Sequence, residues 1–104
     1  MNEEWVQIAD VSDFATADRK LVHLKDDRIV VLFSLPDGYY AVDGWCSHDK
    51  GAMIRGMIHE HEVSCPTHGA RFDLRTGKNL SLPAVKPIRR YEVKVDGTKI
   101  LVKA

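Results

Sequence analysis

Cysteine is scarce in this chain: only Cys46 and Cys65 occur among 104 residues. Two thiols cannot build the disulfide framework on which small secreted domains depend; one bridge is the most they allow. Net charge is absent as well, because fifteen Lys and Arg offset fifteen Asp and Glu. A neutral chain lacks the basic field that draws a protein onto nucleic acid or an anionic membrane, so neither is an expected partner. Long apolar runs are also missing. The longest, Ile29 to Leu35, has seven residues and includes Ser34, far short of the about 20 that span a bilayer. The opening residues, Met1-Asn2-Glu3-Glu4-Trp5, carry neither the basic flank nor the apolar stretch of a secretory signal. These absences predict a cytoplasmic protein.

What is present is an ordinary globular balance, 44% apolar and 29% charged, over a length that suits one domain, residues 1–104. Short runs rich in β-branched and aromatic residues recur between turn residues, the pattern of an all-β sandwich or barrel. Strands are expected near Trp5–Ala9, Lys20–Lys25, Arg28–Leu35, Tyr39–Asp43, Met57–Glu60, Glu62–Ser64, Arg71–Asp73, Ile88–Val95 and Lys99–Lys103. Asp37-Gly38 and Asp96-Gly97 predict type I′ hairpin turns, since Gly takes positive φ without cost. In the last hairpin Tyr91, Val93 and Val95 should share one face and Glu92 and Lys94 the other. A short helical turn is predicted over Val11–Ala17, capped by Ser12 or Asp13.

The strand rhythm breaks between about residues 44 and 73. This stretch holds Gly44, Gly51, Gly56, Gly69, Pro66 and four of the five histidines, and loops on a β scaffold are where binding residues collect. Both cysteines lie here, each with a histidine at a ligand-like offset: Cys46-Ser47-His48 and Cys65-Pro66-Thr67-His68. Thiolate is a soft ligand and imidazole a borderline one, so two of each suit iron–sulfur or zinc. Zinc fingers usually pair Cys with Cys and His with His, whereas each pair here is mixed. Two short loops more easily grip a two-metal rhomb than one small ion, and a [2Fe–2S] centre with His₂ on one iron has that form.

The pattern closely resembles the cluster-binding motif of Rieske proteins. The likeness extends to Gly69, to Phe72-Asp73, to Thr76-Gly77 and to the segment Leu82-Pro83-Ala84-Val85-Lys86-Pro87. At this length the chain is similar to Rieske-type ferredoxins, electron carriers of multicomponent oxygenase systems. That resemblance implies one [2Fe–2S] cluster, with Cys46 and Cys65 on the inner iron and His48 and His68 on the outer one. It implies an antiparallel Rieske-like fold with an inserted cluster-binding subdomain. It also implies a reductase as electron donor and a terminal oxygenase as acceptor, with the carrier a monomer or weak oligomer rather than an enzyme.

Respiratory Rieske proteins carry a disulfide between their cluster loops, and Gly51 and Thr67 stand where its cysteines would be. The hydroxyls that raise the potential in those proteins are replaced by Ala70 and Phe72, so a low potential is expected. Two other classes compete: a small Rieske-like subunit of a nitrite reductase, and a zinc-stabilised interaction module. His59-Glu60-His61 reads as a polar ladder or turn rather than a second metal site. Trp45 suits shielding of the centre or plain core packing. Asp49, Lys50, Arg55 and Arg71 are docking-rim candidates and equally ordinary surface charge.

Overall fold

The computed structural model describes residues 4–24, 28–44, 53–65, 70–80 and 87–103. The described strands are β1 (Trp5–Asp10), β2 (Arg19–His23), β3 (Ile29–Leu35), β4 (Gly38–Asp43), β5 (Met57–His59), β6 (Glu62–Ser64), β7 (Arg71–Asp73), β8 (Arg90–Tyr91), β9 (Val93–Asp96) and β10 (Lys99–Lys103). They form three sheets, ordered β1-β10-β9, β2-β3-β4-β8 and β5-β6-β7. All described pairings are antiparallel, so the all-β, antiparallel expectation holds.

Strand β3 explains the layering. Successive side chains on a strand point to opposite faces, yet Val30, Val31, Leu32 and Phe33 are all fully buried. Val31 and Phe33 join Val42 in a core with Met53, Val63, Cys65, Ala70, Phe72, Leu74 and Ile88. Val30 and Leu32 join Ala41 and Tyr91 in a second core with Ile8, Ala9, Ile100 and Val102. The four-stranded sheet is therefore a middle layer, covered by the β1-β10-β9 sheet on one face and by β5-β6-β7 on the other. An apolar run without alternation is what a strand buried on both faces requires.

Several local expectations need correction. The segment read as one strand, Ile88–Val95, is two: β8 pairs with β4 and β9 pairs with β10. The chain changes sheets at Glu92, so the alternation runs through a change of partner. Val95 faces away from Lys94 as expected but is 48% exposed, because it lies on an edge strand near the hairpin tip. Neither Asp-Gly turn is type I′. Leu35 pairs with Gly38 across Pro36-Asp37, and among described non-glycine residues only Glu60 has positive φ. Pro at the first central position and Gly after the second give the type I pattern. At the other hairpin Asp96 pairs with Lys99, which makes Gly97, at φ 64, the first central residue, as in type II′.

The predicted short helix is a 3₁₀ turn, Val11–Phe14, and its cap is Asp10 rather than Ser12 or Asp13. The Asp10 carboxylate accepts from the Ser12 N–H (3.1 Å), and the Asp13 carboxylate accepts from the Asp10 N–H (2.9 Å). This reciprocal capping box satisfies two otherwise unpaired donors.

Candidate metal centre

Of the four candidate ligands, Cys65 falls within the described residues; Cys46, His48 and His68 lie outside them, as do Trp45, Asp49, Lys50, Gly51 and Thr67. The flanking residues nevertheless define where the stretches holding the candidate ligands leave and re-enter the scaffold. Gly44 follows β4, and its N–H donates to the Ile29 carbonyl (2.7 Å). A Cβ at Gly44 would stand 2.5 Å from Ile29 Cγ2, so the close approach to β3 requires glycine. On the far side of residues 45–52 the Met53 N–H donates to the Gly44 carbonyl (2.8 Å). The chain thus departs and returns at one hydrogen-bonded neck.

Residues 66–69 are flanked in the same way. The Cys65 N–H donates to the Ala70 carbonyl (2.6 Å), continuing the ladder that pairs Ser64 with Arg71. A third neck closes residues 78–87, where the Ile88 N–H donates to the Gly77 carbonyl (2.8 Å). Met53, Cys65, Ala70 and Ile88 share one buried core with Phe72, so the three necks converge on one apolar wall.

Cys65 is 2% exposed and forms no disulfide. A thiol buried among apolar side chains is inert unless a metal takes it as thiolate. Its placement fits a ligand: it stands at the junction between the small sheet's core and the stretch bearing His68. The donor set of two Cys and two His fits a Rieske-type cluster. Ala70 and Phe72 are fully buried in the same core and bring no hydroxyl to it.

The second histidine cluster does something else. Among the described residues no group of three or more His, Cys, Asp or Glu side chains could hold a metal ion. Glu60 takes φ 56 in the turn between β5 and β6, and His59 pairs with Glu62 across that hairpin. His61 reaches the middle sheet instead, its Nε2 2.8 Å from Asp37 Oδ2. The Tyr40 hydroxyl donates to the same carboxylate oxygen (3.1 Å), and the Tyr40 ring meets the His61 ring edge-on at 5.7 Å. The His61 hydrogen bond, followed by the one from Tyr40, holds the Asp37 carboxyl below its ordinary range. Of the rim candidates that are described, Arg55 is exposed and Arg71 pairs with Glu62 (3.0 Å).

Arg19 is a residue the sequence did not single out. It opens β2, and its guanidinium crosses to the carbonyls of Ile54 and Gly56, beside the first neck.

Comparison with known proteins places these features in a family. The Rieske-like [2Fe-2S] domain matches residues 4–103. A ferredoxin component of naphthalene 1,2-dioxygenase/salicylate 5-hydroxylase systems from Ralstonia sp. is 32% identical over 104 residues, covering 99% of this chain and 98% of that one. The ferredoxin of carbazole 1,9a-dioxygenase from Nocardioides aromaticivorans IC177 superposes with a TM-score of 0.86 at 36% identity, covering 95% and 96% of the two chains. A putative NADH-dependent nitrite reductase small subunit from Mycobacterium tuberculosis shares the fold, with a TM-score of 0.87 at 23% identity over 100% and 97%.

Proposed function

The chain belongs to the Rieske-like [2Fe-2S] domain family, and from that premise we propose that it carries single electrons from a reductase to a terminal oxygenase. Cys46, His48, Cys65 and His68 hold the cluster in this reading. The observation that supports it most directly is Cys65, a buried, unbridged thiol at the point where the hydrogen-bonded necks meet one apolar wall. Bound there, the cluster supplies a one-electron couple. The chain's own residues position it, keep water from it and set how readily it is reduced.

Met53, Val63, Ala70 and Phe72, each fully buried, line the core beside Cys65 and exclude solvent from that side. Because Ala70 and Phe72 offer no hydroxyl, no donor there favours the more negative, reduced state. The potential then belongs near the low end of the Rieske range, about −150 mV. Nothing in this reading requires substrate turnover. The cytoplasm suits such a carrier, since free thiols persist there. Among the described residues no helix is long and apolar enough to cross a membrane.

Metal and sulfide analysis with EPR of the purified, dithionite-reduced protein tests the proposal. Two irons and two labile sulfides per chain with a rhombic Rieske signal are expected, and Cys65→Ser should abolish both. Colourless protein containing zinc would replace this reading with a zinc-stabilised module. Stable co-purification with a large catalytic subunit would favour a reductase small subunit, the class whose fold is shared.

A further inference from the structure

The guanidinium of Arg19 is surrounded by partners from two layers. On the middle sheet, its Nε and Nη2 donate to the two carboxylate oxygens of Asp18 (2.9 and 3.3 Å). Its carbon stands 5.2 Å from the centroid of the fully buried Phe33 ring. Asp18 is itself fixed to that sheet, its carbonyl accepting from the Ser34 N–H (2.8 Å). These contacts aim the remaining nitrogen, Nη1, at the carbonyls of Ile54 (3.0 Å) and Gly56.

The first belongs to the 3₁₀ turn Met53–Arg55 and the second follows it, where the chain re-enters from residues 45–52. The last carbonyls of a helical turn lack partners within it, and here an arginine from another layer supplies them. Gly56 in turn presses on β6: a Cβ there would stand 2.7 Å from both the Ser64 carbonyl and Val63 Cγ2. Ser64 precedes Cys65. One guanidinium therefore fixes the exit of the stretch carrying Cys46 and His48 against the strand that delivers Cys65.

We propose that Arg19 is a positioning residue for the metal centre, setting the first ligand stretch relative to the second from the opposite sheet. This rests on the ligand assignment above. Lysine cannot replace it, because one ammonium cannot grip the Asp18 carboxylate in two places and reach two carbonyls as well.

The test compares purified, cluster-loaded wild type with Arg19→Lys, Asp18→Asn and His61→Gln. The last removes a different link between the same two layers, at the β5–β6 turn. Three quantities are read: the urea midpoint by circular dichroism, the EPR g-values after reduction, and the rate of bleaching by an iron chelator. Arg19→Lys should bleach about tenfold faster, the low end of what outer partners of metal ligands cost, and shift its g-values. Asp18→Asn should do the same to a smaller degree, because it loosens the aim of the guanidinium and keeps its charge. His61→Gln should leave g-values and bleaching as in wild type whatever it does to the urea midpoint.

Wild-type g-values and bleaching in Arg19→Lys would overturn the proposal, as would equal acceleration in Arg19→Lys and His61→Gln. If Arg19→Lys does not fold, Asp18→Asn decides by the same criteria. A wild-type protein without iron and sulfide would instead sink the ligand assignment, a failure visible before any variant is made.

Discussion

Gly77 meets two demands at once, and substitution by alanine should separate them. It lies at φ 81, a backbone region that costs an L-residue about 1 kcal/mol. A Cβ there would also stand 2.2 Å from the Ile88 carbonyl oxygen, which must then retreat by more than about 1 Å to reach ordinary contact. That retreat breaks the neck in which the Ile88 N–H donates to the Gly77 carbonyl, a loss of about 1 kcal/mol. It also lifts Ile88, now 3% exposed, partly out of the core it shares with Cys65 and Phe72, for about 1 kcal/mol more. Gly77→Ala should therefore lose about 3 kcal/mol, or about 15 °C in Tm for a chain this size. Gly97 supplies the control. It too has positive φ, 64, but its Cβ would meet nothing within 4 Å, so Gly97→Ala should lose only about 1 kcal/mol. Urea and thermal denaturation followed by far-ultraviolet circular dichroism measure both. Equal losses in the two variants would refute the close approach as the reason for glycine at position 77.

Other consequences can be checked separately. Tyr91 is buried and donates its hydroxyl to Asp43 (2.9 Å); Tyr91→Phe should cost about 1–2 kcal/mol by urea denaturation. Burial first, and the Asp43 hydrogen bond second, raise the Tyr91 pKa above 10.0. Its contribution should thus be complete below pH 10 and fall as pH rises through the folded value, a fall that Tyr91→Phe should lack. The depressed pKa of Asp37 means the opposite dependence: its stabilisation is present above 3.8 and lost as pH falls through the folded value. His61→Gln should return the Asp37 carboxyl toward its ordinary range in an NMR titration, and an unmoved value would remove His61 as the cause. Ala70→Ser and Phe72→Tyr should each raise the midpoint potential by about 40–90 mV where the new hydroxyl reaches a sulfur, as voltammetry with crystal structures would show. A hydrogen bond formed with no rise would defeat the explanation of a low potential.

How far the sequence could be read depended on whether a feature leaves a local trace. Cysteine and histidine at fixed offsets do, which is why the family was legible. The run Ile29–Leu35 was readable as a strand, but its lack of alternation carried more: burial on both faces and hence three layers. Ile88–Val95 misled because alternation continues through Glu92 while the pairing partner changes from β4 to β10; side-chain period does not register partner identity. The Asp-Gly pairs marked both hairpins correctly and their turn types wrongly, since type depends on where register places the glycine. Arg19 was invisible because its partners are backbone carbonyls 35 and 37 residues away, and every residue type offers those.

The necks at Gly44–Met53 and Cys65–Ala70 separate the cost of a loop from the cost of the scaffold. With its ends already joined, a flexible stretch contributes chiefly its own closure entropy, which grows only with the logarithm of length. Lengthening 45–52 by two residues would add about 0.2 kcal/mol, and doubling 66–69 about 0.6 kcal/mol, where the added residues are flexible. Both are small beside the folding free energy of an ordinary domain. Segments of different length and chemistry should therefore be exchangeable at these two places on the scaffold as cassettes, with the three sheets left as they are.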